Sequence, residues 1–131
     1  MRRSTQPPTL IPVKLLLENL PASLVPQRET LRRCLEAMDA ALPIEQVILF
    51  GSHARGEAGP DSDVDLCLVA KGAERQLEAA GEWRVAMRPV WPRPPFTLIP
   101  ISPQRLAEKR ARSDPFFQTV LTEGVSIAAQ D

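Results

Sequence analysis

The chain has 131 residues, 44% of them hydrophobic and 24% charged, with 16 basic and 16 acidic side chains and a formal net charge of zero. That length holds one domain with a modest core and excludes a second independent one. The composition excludes a wholly disordered chain, and the charge balance argues against a protein that wraps nucleic acid, which carries a basic surplus, while leaving room for a small basic patch.

Residues 1–26 carry Pro7, Pro8, Pro12, Pro21 and Pro26. Proline removes a backbone donor and blocks helix interiors, so this stretch reads as a partly ordered proline-rich arm, with 14–20 as one short helical turn or a docking segment. Residues 27–131 read as the domain proper. An amphipathic helix is expected over 27–42, where Leu31, Leu35, Met38 and Leu42 recur at helical spacing and Pro43 ends the run. The apolar run 47–50, closed by Gly51, has the length and branching of a buried strand. A glycine-rich polar loop follows over 51–63, its first part suited to a helical turn, and 64–70 is a second strand. A helix over 74–87 would turn Leu77, Ala80 and Arg84 to one face, widened by Ala73 and Trp83. Four prolines make 88–95 a rigid connector. A third strand spans 96–101, two short helices span 104–112 and 116–123 with Gly124 as C-cap, and 125–128 is a last short strand. The order implies a mixed α/β (α+β) sheet with helices packed mainly on one face.

Cys34 and Cys67 lack metal-type spacing, and a single histidine cannot complete a ligand set. They read as free thiols buried as small hydrophobes in a reducing compartment. No apolar run reaches bilayer length, and no long apolar stretch follows Met1-Arg2-Arg3 as a signal peptide requires. The expectation is a cytoplasmic protein with no membrane contact.

The chemistry concentrates in Leu49-Phe50-Gly51-Ser52-His53-Ala54-Arg55-Gly56-Glu57 and Ser62-Asp63-Val64-Asp65-Leu66. Residues two apart on a strand point to one face, so Asp63 and Asp65 set two carboxylates side by side. Such a pair repels itself unless a cation intervenes, and hard oxygen donors suit Mg²⁺, which takes one or two carboxylates plus substrate phosphates. Gly51 after a buried strand lets backbone N–H groups approach a phosphate; Ser52 adds a hydroxyl, and Arg55 a forked cation. Two rival motifs fail. A P-loop needs Lys where Glu57 stands, and an EF-hand starting at Asp61 needs Gly and Glu where Leu66 and Gly72 stand. His53 and Glu57 are read as surface or capping residues, Trp83 and Trp91 as buried at a core or interface, and the basic run Arg105, Lys109, Arg110, Arg112 as a solvated helix face.

Together LFGSHARGEA and SDVDL resemble the minimal nucleotidyltransferases of the DNA polymerase β superfamily, a group that includes the nucleotidyltransferase partners of prokaryotic toxin–antitoxin pairs. The resemblance covers about residues 30–128. It implies a nucleotidyltransferase-like mixed sheet and metal-dependent transfer of a nucleoside monophosphate from a nucleoside triphosphate (NTP), ATP foremost, to a protein or small-molecule acceptor. By motif match Gly51 and Ser52, with Arg55, would bind the triphosphate, and Asp63 and Asp65 would hold Mg²⁺ or Mn²⁺ as catalytic carboxylates. The family places a third carboxylate on the next strand, where this chain has Thr97, so the alternative is a catalytically impaired, antitoxin-like binding subunit. Either reading implies a small helical partner protein or a homo-oligomer, since the chain lacks the extra helical domain that larger members use for acceptors.

Overall fold

The computed structural model describes residues 12–130. Five strands and five helices alternate along them: β1 (Lys14–Leu15), α1 (Arg28–Ala41), β2 (Gln46–Phe50), the single turn α2 (Gly51–Ala54), β3 (Val64–Val69), α3 (Gln76–Met87), β4 (Phe96–Ile101), α4 (Pro103–Ala111), α5 (Pro115–Glu123) and β5 (Val125–Ala129). The sheet order is β1-β5-β2-β3-β4. All neighbours run antiparallel except β3 and β4, which are parallel and joined through α3.

Strand alternation divides the sheet into two faces. Val47, Leu49, Val64, Leu66, Leu68, Phe96 and Leu98 belong to the larger core, with Leu31, Leu35 and Met38 of α1 and Ala79, Trp83 and Met87 of α3. The opposite side chains, Ile48, Cys67, Val69 and Ile101, form a smaller cluster with Leu106 of α4 and with Phe117 and Val120 of α5. The two long helices thus cover the main core, as expected, and the two short ones add a thin layer behind the sheet. Both short helices begin one residue earlier than their apolar pattern suggests. Proline is suited to the first helical position, and Ser102 and Asp114 accept hydrogen bonds from the N–H groups of Arg105 and Phe117, each at 3.1 Å. Gly124 ends α5 where an added Cβ would lie 2.2 Å from the Val120 carbonyl and 2.4 Å from Ile48 Cγ2.

The helix after β3 differs from the expected pattern. Its buried face is Ala79, Trp83 and Met87, at steps of four, while Leu77 is 90% exposed. Trp83 sets this rotation: the ring is fully buried and its Nε1–H donates to the Leu42 carbonyl at 3.1 Å, satisfying a polar atom that burial would otherwise strand.

Residues 12–26 of the proline-rich stretch pack onto the domain; its earlier part lies outside the described residues. Instead of one helical turn, 14–20 contains strand β1 and a 3₁₀ turn at Leu17–Asn19, followed by a second at Ala22–Gln27. Val13, Leu17, Leu20 and Leu24 enter the main core. Asp39 locks this segment to α1, accepting from the N–H of Val13 at 3.1 Å and of Ile44 at 2.8 Å. Cys34 and Cys67 are buried and free, and burial pushes the Cys67 thiol up to about 12, so it stays protonated and inert. No helix among the described residues is long and apolar enough to cross a membrane.

If the 12–26 segment is core, Leu24→Ala should destabilise the protein by about 2–5 kcal/mol, as buried leucine truncations do. Urea unfolding measures this, and a loss under about 0.5 kcal/mol would show that the segment is a dispensable cover.

Candidate functional site

The site forms where β2 ends against the start of β3. Antiparallel pairing sets Phe50 opposite Asp65, and parallel pairing sets Thr97 of β4 opposite Asp65 on the other side. The chain turns at once after Phe50. Gly51 has φ +77°, a conformation costly for any side chain. A Cβ there would lie 2.0 Å from Asp65 Oδ2. This glycine is therefore demanded first by the carboxylate, which occupies the space a side chain would fill.

Asp63 immediately precedes β3 and shares the side of Asp65, as expected of residues two apart. The link is Thr97, whose Oγ1 donates to Asp63 Oδ2 at 3.1 Å. Asp65 and Thr97 are half-buried and Asp63 is exposed, at the open end of the face that carries Cys67 and Ile99. Burial pushes the Asp65 carboxyl above the usual range, and repulsion from Asp63 adds to it, while the Thr97 hydroxyl, His53 and Arg55 pull the other way.

These residues fit a hard divalent cation of the Mg²⁺ type. Two carboxylates converge with no protein cation between them, because Arg55 is turned to Glu57, Nε to Oε1 at 3.0 Å, and to Glu123 at 3.8 Å. Among the described residues no third Asp, Glu, His or Cys joins them in a metal-sized group. Such a cation would take its remaining ligands from phosphate and water. The Ser52 hydroxyl is half-buried and makes no hydrogen bond among the described residues, so it keeps a donor for a ligand at the turn.

Three neighbours escaped the sequence reading. His53, taken for a surface residue, is buried, and its Nδ1 pairs with Ser23 Oγ at 2.8 Å, pinning the site turn to the N-terminal segment. The cause is the shortness of α2, which turns position 53 inward. Glu123, sixty-odd residues downstream, reaches Arg55 because α5 lies against α2. Phe116 packs edge-on to Phe50 with ring centroids 5.7 Å apart and remains 46% exposed, leaving an aromatic edge beside the turn. Its only sequence signal is a doubled phenylalanine at a helix start.

Two stability predictions follow from this geometry. Gly51→Ala should cost at least about 2 kcal/mol through backbone strain and collision. Asp65→Ala should relieve the collision alone, so the pair should couple by about 0.5–3 kcal/mol in a double-mutant cycle; strict additivity would show that the turn and the carboxylate do not meet. Asp65→Asn should raise the Tm in metal-free buffer at neutral pH. The sign follows from the raised carboxyl: the folded state binds its proton more tightly than the unfolded chain, so wild-type stability falls as pH rises through the ordinary carboxylate range and above it. The advantage of the amide should accordingly shrink as pH drops toward that range, and an advantage independent of pH would refute the electrostatic origin.

The model of the family described as nucleotidyltransferase domain matches residues 31–112, well over half of the chain and spanning Gly51, Ser52, Arg55, Asp63, Asp65 and Thr97. No curated protein matches. Among solved structures, a candidate nucleotidyltransferase from Sulfolobus solfataricus is similar at 24% identity, covering 64% of this chain and 70% of the other with a TM-score of 0.43, too loose a likeness to place any residue. With the family match extending across both motifs and all three strands of the site, the chain belongs to the nucleotidyltransferase domain family.

Proposed function

We propose that this protein binds an NTP, ATP foremost, with Mg²⁺ or Mn²⁺, and transfers its nucleoside monophosphate slowly to an acceptor hydroxyl. The observation that carries the reading is the convergence of Asp63, Asp65 and the Gly51-Ser52 turn on one open face of the sheet. In this reading Asp63 and Asp65 would hold the metal, which would supply charge neutralisation on the phosphates. Gly51 and Ser52 offer N–H and hydroxyl donors to the triphosphate, Arg55 exchanges Glu57 for a phosphate oxygen, and the Phe116 edge receives the base. The acceptor oxygen bonds to the α-phosphorus, the bond from that phosphorus to the bridging oxygen breaks, pyrophosphate leaves, and the hydroxyl proton passes to water.

Slowness comes from Thr97. It stands directly opposite Asp65 with its hydroxyl on Asp63, and a neutral hydroxyl is a poor base at pH 7. A second reading gains from the same residue and from Leu77 and Val85, 90% and 53% exposed on α3: a weakly active subunit that pairs with a small helical protein or with its own copy. A cytoplasmic location suits both, since NTPs are plentiful there and free thiols stay reduced.

Millimolar ATP, or another of the four NTPs, should raise the Tm in the presence of Mg²⁺, since a ligand bound only by the native state stabilises it. Asp63→Ala with Asp65→Ala should abolish the shift. No shift with any NTP would refute the binding reading. Labelled nucleoside monophosphate transfer should be slow in the wild type and roughly 10²–10⁴-fold faster in Thr97→Asp, the usual worth of general-base assistance. Robust wild-type transfer, unchanged or reduced in Thr97→Asp, would mean that the third ligand lies elsewhere.

A further inference from the structure

We propose that the outer face of α3 joins two copies of this chain, helix against helix and antiparallel, across a two-fold axis at Gly81. The proposal rests on the pairing reading above and commits it to a second copy; it does not draw on the transfer chemistry.

α3 is apolar on two sides. Ala79, Trp83 and Met87 enter the main core. Leu77 and Val85 stand exposed on the other side, and Leu77 is the most exposed large apolar side chain among the described residues. A surface helix keeps its apolar residues in one stripe, and a helix apolar all round is covered all round. Gly81 lies midway between Leu77 and Val85, four residues from each. It is two residues from both Ala79 and Trp83, about 200° round the helix, so it sits at the centre of the outer face. Glycine in a helix interior costs stability against alanine. Packing within the chain does not require it, since a Cβ added at Gly81 would meet nothing within 4 Å. A bare Cα at that point has a use where a second helix crosses, because it lets the two axes approach to about 8 Å.

Symmetry and charge select the second copy. A two-fold axis through Gly81, perpendicular to α3, brings residues equally far before and after it to one height on the two helices. Leu77 of one copy then meets Val85 of the other, and Glu78 meets Arg84; each contact occurs twice. Glu78 and Arg84 are exposed and flank the apolar strip. Their contacts within the chain are weak ones: Glu78 holds Arg75 at 3.0 Å in an exposed pair, and Arg84 donates to the Phe96 carbonyl at 3.3 Å. A parallel pair would set Glu78 on Glu78 and Arg84 on Arg84, which repel. A foreign helix needs no such self-complementarity, whereas a contact between identical surfaces demands it. Two helices of 12 residues make a contact at the low end of interface sizes. Exposed Trp91 shares a groove with Arg84 and Arg88, so apolar surface continues past the end of α3 and widens the patch. The dimer expected is therefore a reversible one.

The sheet separates this surface from the acidic pair. α3 covers the larger core, while Asp63, Asp65 and Thr97 lie on the face that carries Cys67 and Ile99. Pairing through α3 leaves both sites open.

Sedimentation equilibrium of the full chain, from micromolar to near-millimolar concentration, tests this. We expect a reversible dimer that Gly81→Lys weakens at least about tenfold by setting like charges on each other at the axis. The Tm of that variant should be unchanged or higher, since lysine is the better helix former. Glu78→Arg and Arg84→Glu should each weaken self-association, and mixing the two variants should restore it, because each then presents the charge that the other lacks. A merely structural role for either side chain would not return on mixing. The proposal is overturned if the chain stays monomeric throughout, if the dimer is indifferent to Gly81→Lys, or if mixing rescues nothing. A monomer would leave the face to a foreign helical protein, so the broader pairing reading fails separately. The thermal shift with NTP reads the other face of the sheet and is a third, independent result.

Discussion

The carboxylate of Asp65 resting against the bare Cα of Gly51 is the contact around which the remaining architecture is arranged. It requires that β2 end opposite Asp65, that the chain turn there with a positive φ, and that no side chain intervene. Once that register holds, strand alternation decides which residues face Asp65 within the sheet. Asp63 falls on the same side, and the parallel partner strand delivers position 97. A slip of one residue in either pairing would send Asp65 into the apolar core and dismantle the site and the fold together. The functional face and the hydrophobic face are thus specified by one parity.

That arrangement is unfavourable locally. Asp65 is half-buried beside another carboxylate, and its raised carboxyl is the sign of a native state that would be more stable without the charge. Compensation comes from the opposite face of the sheet, where Leu49, Val64 and Leu66 pack with α1 and α3 into the larger core. Trp83 and Asp39 add buried or half-buried hydrogen bonds that join helices to the chain segments flanking the sheet. The strained turn is further tied down through His53 and Ser23. The N-terminal segment therefore reaches the site indirectly, by bracing the turn at Gly51 through Ser23 and His53.

Legibility in the sequence followed the range of the forces involved. From residue 27 onward, strand and helix positions were readable to within a residue or two, because 47–50, 64–70 and 96–101 carry local apolar patterns. The shared side of Asp63 and Asp65 was readable because the two-residue period of β3 carries on into the residue before it, where Thr97 bonds Asp63. The rotation of α3 was not, since Leu77 and Ala80 offer as good an apolar face as Ala79 and Met87 until the buried Trp83 chooses between them. The role of residues 12–26 was hidden for a related reason: five prolines before residue 27 suggest an arm, yet proline leaves 3₁₀ turns and edge strands open, and Leu17, Leu20 and Leu24 bury themselves in that irregular backbone. His53 with Ser23 and Arg55 with Glu123 join residues far apart in sequence and leave no local trace. The family resemblance supplied what physics alone did not, the identity of the transferred group.

Thr97 can be understood from the same electrostatics. A carboxylate opposite Asp65 would add a third negative charge within hydrogen-bonding reach of Asp63, and two unit charges 4 Å apart near a protein surface interact by about 4 kcal/mol. Without a divalent cation such a trio would strain the very contact that organises the sheet. A threonine instead donates a hydrogen bond to Asp63 at 3.1 Å and helps to hold Asp65 in its charged form. The hydroxyl thereby makes the acidic pair tolerable without a bridging cation. What it removes is the negative charge best placed to take a proton from an attacking hydroxyl. A carboxylate pair held in place and the lack of a third negative charge beside it are two consequences of a single side chain, and both underlie the slow transfer proposed above.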